Sequence, residues 1–465
     1  MFSRTQLYPA FAFVGALALL LPLAAQYPLQ TTFPMGGDAA AYSHAAKTLL
    51  AFPQEPLAAW HTLSRSNYPL AQVIYTLSAL VPVSWPERFV IMITLAHVAA
   101  GAALSLLLYR LGHWPTAAAG LAIWGLTSIT INNHLEDGTL AQLLSLVFLL
   151  LTLERSLRAS SFLTLVFLIA TYLTHPLSAL IAVPTLVLGT MPEWLHNRSL
   201  TARKQKFLRI ITLALCILAI LFLIQALRGF TWPQLALEPQ PDIIIDLLRS
   251  KFSFWMALSL SGFLLLRSPL ALSFAALALL LATNSHLGIG LAENRFRTYL
   301  ITAIVILSAI AMPQLLTNAF RASFVRTLFV VILFGSYAAL TWRDNSSVYA
   351  YYENPANNAR LIPAAREAIE WAGDRLPEGS HIATTAASRH SEWIPVLTDH
   401  TWTELNAQHP LLTTQREELQ RVIAEAPFTH VMFFVDREEV LESLNDAQRF
   451  PVLYQNPAAV IMQLP

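Results

Sequence analysis

The residues of this chain that can do chemistry lie in three polar loops separated by long apolar runs. The first loop contains Pro34-Met35-Gly36-Gly37-Asp38-Ala39-Ala40-Ala41-Tyr42-Ser43-His44, a carboxylate set behind two glycines whose missing Cβ lets backbone approach a ligand closely. The second is Asn132-Asn133-His134-Leu135-Glu136-Asp137-Gly138, and the third, residues 284–297, ends Glu293-Asn294-Arg295-Phe296-Arg297. Carboxylates combined with guanidinium groups suit group transfer from a phosphate-bearing donor. A carboxylate can accept the proton of an attacking hydroxyl, and an arginine can stabilise the charge of a departing phosphate. Asp38 is the candidate catalytic base, and Arg295 or Arg297 the candidate phosphate binder. Asp38 also stands where an N-cap would open the Ala-rich helix running to Leu50, and capping alone would account for its residue type.

Should Asp38, Asp137 and Glu293 converge, with Glu136 able to replace Asp137, their mutual repulsion favours a hard divalent ion held through oxygen, Mg2+ or Mn2+. A site without a metal fits the same residues. His44, His134 and His175 are the candidate imidazoles for substrate contact. His175 precedes Pro176 where an apolar run of about thirty residues must turn, and breaking the helix is the simpler role for that pair.

The elements that must position these groups are membrane helices. Of 465 residues, 55% are hydrophobic and 12% charged, against about 25% charged in a soluble domain. A net charge of +1 gives no general attraction to nucleic acid. The single cysteine, Cys216, cannot form an intramolecular disulfide. Crossing the hydrocarbon core takes roughly 20 apolar residues, and runs of that order or nearly so occur near residues 8–27, 88–109, 115–131, 139–153, 161–174, 176–191, 208–226, 252–266, 269–284, 296–312 and 324–341. The first follows Met1 to Gln6 and ends in a weak Ala24-Ala25-Gln26 cleavage pattern, so it reads as a retained helix. Tyr68 to Val83 is bracketed by Pro69 and Pro82 and interrupted by Gln72, which predicts a helix lying along the interface.

With the N-terminus cytoplasmic, Arg4, Arg110, Arg155, Arg158, Arg198, Arg203, Lys204, Lys206, Arg209, Arg267, Arg321 and Arg326 all fall on the inner side, as the positive-inside rule requires. Counting Tyr68 to Val83 as a twelfth span would invert every later loop. The expectation is therefore about 11 transmembrane helices in a multi-pass plasma-membrane protein, with the three chemical loops and the tail outside.

An apolar first helix, a long outer loop with an early Asp, an acidic second loop and a late outer loop ending Glu-x-Arg-x-Arg resemble the GT-C superfamily of integral membrane glycosyltransferases. That superfamily includes oligosaccharyltransferases, protein O-mannosyltransferases and lipid A aminoarabinose transferases. The resemblance covers roughly residues 1–341. It implies a polyprenyl-phosphate-linked sugar donor, a glycan, lipid or protein acceptor outside the membrane, and inversion at the anomeric carbon. By position, Asp38 is similar to the catalytic first-loop Asp, Asp137 or Glu136 to the second-loop acid, Glu293 to the late-loop acid, and Arg295 or Arg297 to the lipid-phosphate binder. The second loop has no Asp-x-Asp and the tail no Trp-Trp-Asp, so neither peptide-sequon transfer nor an obligatory metal is implied.

After Trp342 the composition becomes polar. Residues 342–465 read as a small α/β domain, with helices at Pro363 to Leu376, Thr414 to Ala426 and near Glu438 to Asp446, and strands at His381 to Thr385, His430 to Val435, Val452 to Tyr454 and Ala459 to Gln463. It carries no phosphate loop and no metal spacing. Two other functions fit parts of the pattern: a non-catalytic assembly or sensor protein, and a transporter, though the latter needs polar groups near mid-membrane and an internal repeat.

Overall fold

The computed structural model describes residues 4–30, 38–66, 68–127, 140–158, 160–196, 243–250, 252–284, 293–353, 361–385, 389–405, 428–434 and 451–464. The predicted span 208–226 lies outside these. Among the described residues, five helices are long and apolar enough to cross a membrane, within α1 (Arg4–Gln30), α5 (Trp85–Leu126), α6 (Leu140–Leu157), α12 (Glu293–Ala319) and α13 (Ser323–Glu353). Shorter apolar helices join them: α7 (Ser161–Thr174), α8 (Pro176–His196), α10 (Ser253–Leu265) and α11 (Pro269–Ala282), with the short α9 (Ile243–Arg249) before α10.

The stretch α5 is a helical hairpin rather than one rod. Gly112 and His113 leave helical geometry, His113 with φ of 65°, and the chain folds back so that Ser105 Oγ donates to the Ala117 carbonyl and Trp124 Nε1 to the His97 carbonyl. The two predicted runs, 88–109 and 115–131, are the arms of this hairpin. Small residues let neighbouring helices close on one another, as in membrane interiors generally. A Cβ at Gly125 would meet the Leu20 Cα at 2.9 Å, and one at Gly262 would meet the Leu307 carbonyl oxygen at 1.9 Å.

Between α1 and α5 lie three short helices: α2 (Ala39–Leu50), α3 (Pro56–Arg65) and α4 (Pro69–Leu77). Including the single 3-10 turn that follows it to Leu80, α4 extends only about 18 Å at 1.5 Å per residue, too short to cross about 30 Å of hydrocarbon. Its outer face carries exposed Leu77, Leu80 and Val81. Tyr75 on α4 binds Ser43 Oγ at 2.9 Å and stacks edge-on against Tyr42 and Phe89, locking α2 to α4 and α5.

Helix α13 continues without a break through Trp342, where the composition changes. Beyond it, α14 (Pro363–Arg375) lies on a five-stranded sheet of β1 (His381–Thr385), β2 (Thr401–Leu405), β3 (His430–Phe434), β4 (Val452–Gln455) and β5 (Ala459–Gln463), ordered β2-β1-β3-β5-β4. The first three strands are parallel and β5 and β4 antiparallel. β2 is a strand the sequence did not announce. A 3-10 turn and the short α15 (Ile394–Leu397) cross from β1 to β2. The predicted helices at Thr414 to Ala426 and Glu438 to Asp446 lie outside the described residues.

This sheet unit is tied to α2. Lys47 Nζ donates to the carbonyls of Pro395 and Val396 at 3.1 Å and Thr398 at 3.2 Å, and lies 3.4 Å from Asp399. Arg366 on α14 bridges to Glu87 at 3.5 Å, at the start of α5.

Candidate functional site

Asp38 is the residue immediately before α2, and its side chain makes no capping hydrogen bond. Its backbone is already in the helical region, φ −88° and ψ −4°, whereas a capping side chain works from the extended region, where its oxygen can reach the N–H groups of the next turn. Only the Asp38 carbonyl serves the helix, accepting from Tyr42 N at 3.0 Å. The carboxylate's electrostatic influence falls on groups outside the helix cap.

Those groups come from four other places in the chain. Tyr42, one turn into α2, and Tyr68, the residue before α4, have their hydroxyls held above the ordinary phenol range chiefly by burial. Asp38 pushes both higher, while the positive charge of Arg295 pulls both down. Arg295, in the first turn of α12, thus faces the same two phenols as Asp38. The backbone of Ala141, in the first turn of α6, also lowers Tyr42, and the neighbouring Gln142 donates from Nε2 to the Arg295 carbonyl.

The fifth contribution is the turn between α7 and α8. His175 ends α7 and is buried, because Pro176 cannot continue that helix and starts the next one. Its ring stacks on Tyr68 with centroids 5.3 Å apart and 8° between planes, and it feels the Arg295 charge. Its Nδ1 is 3.3 Å from Ser178 Oγ, which is hydrogen-bonded in turn to Tyr299 and Ser145. Tyr299 lies one turn beyond Arg295 on the same face of α12, the i to i+4 relation. A buried polar chain therefore runs from Tyr68 into the bundle.

Every contributor sits at or just inside the start of a helix: α2, α4, α6, α8 and α12. Helix starts carry unsatisfied N–H groups and the positive end of the macrodipole, so five of them around one arginine favour an anion.

The structure brings together Asp38, Arg295 and His175. Arg297 is two residues past Arg295, roughly 200° around the helix at 3.6 residues per turn, so the two guanidiniums leave α12 on opposite sides. His44 is exposed on α2, away from buried Tyr42. His134, Glu136, Asp137 and the two glycines before Asp38 lie outside the described residues, and Glu293 opens α12 with its side chain outside them. Among the described residues no three of His, Cys, Asp and Glu come together as a metal site. The described carboxylate here is Asp38, beside an arginine, and the other candidate acids lie outside the described side chains.

Tyr42, Tyr68, Gln142, Ser145, Ser178 and Tyr299 were not singled out by sequence reasoning. A readable signal existed in Gln142 and Ser145, polar residues three apart at the start of an apolar helix, since polar groups inside membrane helices are seldom idle.

Neither a protein-family model nor a curated protein sequence matches the chain. Solved structures do share its fold. ArnT from Cupriavidus metallidurans bound to undecaprenyl phosphate aligns over 100% of this chain and 99% of its own, with a TM-score of 0.62 and 12% identity. The Archaeoglobus fulgidus oligosaccharyltransferase AglB, in complex with an inhibitory peptide and a dolichol-phosphate, aligns over 93% of this chain and 70% of its own, with a TM-score of 0.53 and 13% identity. An oligosaccharyltransferase of the same archaeon in complex with zinc and sulfate gives 91%, 68%, 0.52 and 13%. The chain shares the fold of these ArnT and oligosaccharyltransferase structures, and among its described residues five helices are long and apolar enough to cross a membrane.

Proposed function

We propose that this protein is a membrane glycosyltransferase that moves a sugar from a polyprenyl-phosphate-linked donor to a glycan, lipid or protein acceptor outside the membrane. The observation that carries the reading is Asp38: a carboxylate at a helix start that does not cap it and acts on the same buried phenols as Arg295. Lipid-phosphate ligands in the GT-C-fold neighbours supply the donor class.

In this reading Asp38 accepts the proton of the acceptor hydroxyl as its oxygen attacks the anomeric carbon. The bond from that carbon to the donor phosphate breaks, and the phosphate leaves with the electron pair. Arg295 and the surrounding helix starts stabilise the charge that develops there. Tyr68 and His175 form a flat aromatic wall beside the reacting groups, suited to one face of a sugar. A single displacement inverts the anomeric carbon. Arg297, His44, His134, Glu136, Asp137 and Glu293 are reserve positions for substrate or, in the case of the acids, for Mg2+ or Mn2+.

The proposed topology has a cytoplasmic N-terminus, about eleven spans, and residues 342–465 as an α/β domain on the outer side. The ties from Lys47 and Arg366 support it, since they join the sheet unit to the helices carrying Asp38 and Glu87.

Purified protein incubated with a polyprenyl-phosphate-linked sugar and an envelope acceptor fraction tests the proposal. Transfer by the wild type and none by Asp38→Asn supports it. Donor binding without transfer by the wild type, across donors and acceptors, would return the chain to the assembly or sensor reading.

A further inference from the structure

At the other end of α6 from the site, three arginines converge on one buried carboxylate. Glu154 is 1% exposed, and Arg110 Nε approaches it at 3.4 Å and Arg155 Nε at 3.2 Å, with Arg158 Nε closing the set. All three reach Glu154 through Nε, and among the described residues their Nη groups have no acceptor. The arginine side chains are 28% to 38% exposed. One carboxylate offsets one guanidinium, so among the described residues the cluster keeps a surplus of two positive charges on partly exposed side chains.

An apolar seam adjoins the cluster, where Leu107 of α5, Leu153 of α6, and Leu270 and Phe274 of α11 are packed and buried. Leu153 and Leu157 flank Glu154 along α6, and Leu107 and Leu111 flank Arg110 along α5, so the cations stand at the edge of that packed seam. Gln142, which contacts Arg295, is twelve residues before Glu154, or about 18 Å along the helix, so the cluster is separate from the candidate site.

We propose that Arg110, Arg155 and Arg158 form a binding site for the headgroup of an anionic phospholipid. A guanidinium grips phosphate oxygens in pairs, and basic residues at a membrane surface are drawn to anionic lipid. Glu154 offsets one of the three guanidinium charges and leaves the other two for a phosphate. Neutrality alone needs one arginine beside Glu154, and the other two are explained by a phosphate.

The test is lipid retention by the full chain, read by native mass spectrometry and by thermal stability with phosphatidylglycerol or phosphatidylcholine. It reads no transfer, so its outcome is independent of the glycosyltransferase proposal. The wild type should retain phosphatidylglycerol over phosphatidylcholine by at least about tenfold, the scale set by two surplus surface charges. Replacing all three arginines by Gln together with Glu154→Gln, which leaves no buried carboxylate unpaired, should erase the preference. Glu154→Gln alone should strengthen it, because the surplus charge rises, whereas a merely structural ion pair would lose stability with no change in lipid choice. Equal retention of both lipids by the wild type overturns the proposal. So does a preference that survives the fourfold change, or one that Glu154→Gln leaves the same or weaker. If the fourfold variant does not fold, the Glu154→Gln comparison decides alone.

Discussion

Tyr68 and His175 lie ring on ring, 5.3 Å between centroids and 8° between planes. Tyr68 opens an interfacial helix and His175 closes a membrane helix, so the stack fixes the outer loop to the bundle beside Arg295. Removing either ring should loosen the site more than the fold. Tyr68→Ala is expected to raise the KM for donor and lower kcat, with a modest fall in Tm, and Tyr68→Phe to retain most activity; steady-state kinetics on both variants checks this.

Asp38→Asn should fold, insert and bind donor while transfer falls by roughly 10² or more, the usual loss for a general base. Full transfer by the asparagine variant would restore the capping role, since asparagine caps a helix about as well as aspartate.

Arg295 and Arg297 should separate cleanly. Arg295→Lys keeps the charge but loses the paired donors, so donor affinity is expected to fall about tenfold, on the scale of one charge-assisted hydrogen bond. Arg297→Lys, on the other side of α12, should bind donor as the wild type does. Titration with a fluorescent polyprenyl phosphate distinguishes the two.

Lys47 holds the sheet unit to α2 through three carbonyls and Asp399. Lys47→Met should cost about 1–2 kcal/mol, the scale of hydrogen bonds to a charged group, and make the sheet unit easier to cleave. Limited proteolysis compared with a thermal melt reads both effects.

Two glycines give a paired control on the packing. Gly262→Ala would place a methyl 1.9 Å from the Leu307 carbonyl oxygen, and a clash with backbone should cost about 1–3 kcal/mol. Gly335 on α13 has nothing within 4 Å of the same added atom, so Gly335→Ala should be neutral or stabilising by up to about 1 kcal/mol. Thermal unfolding in one detergent compares them.

The parts legible in the sequence were those set by local chemistry. Pro176 had to end one helix and start another, and Gly112 marks the hairpin between two apolar runs. Asp38 stood out because it interrupts an apolar surrounding just behind two glycines. Strand β2 escaped because Thr401-Trp402-Thr403-Glu404-Leu405 is polar and mostly exposed on the sheet edge, with a single fully buried residue at its end. Tyr68, Ser178 and Tyr299 escaped for another reason. Each is unremarkable in its own helix, and they meet only because five helix starts are packed side by side, which no local pattern encodes. Arg295 and Tyr299 are an exception in part, since their spacing of four becomes informative once α12 is known to begin at Glu293.

Near the outer ends of α1 and α13, Gln26 donates to the Trp342 carbonyl and to Ser346 Oγ, each at 2.9 Å, and accepts from Asn345 at 3.2 Å. From Ser323 to that first amide contact is roughly 20 residues, about 30 Å of helix, and the face between is lined by exposed Phe324, Val331 and Ile332. A hydrocarbon layer of about 30 Å measured from Ser323 ends at the amide cluster, and a thicker bilayer would immerse those amides and force the pair of helices to tilt or pinch the lipid. Membrane thickness then becomes a variable that the sheet unit, carried on the same rod, must feel.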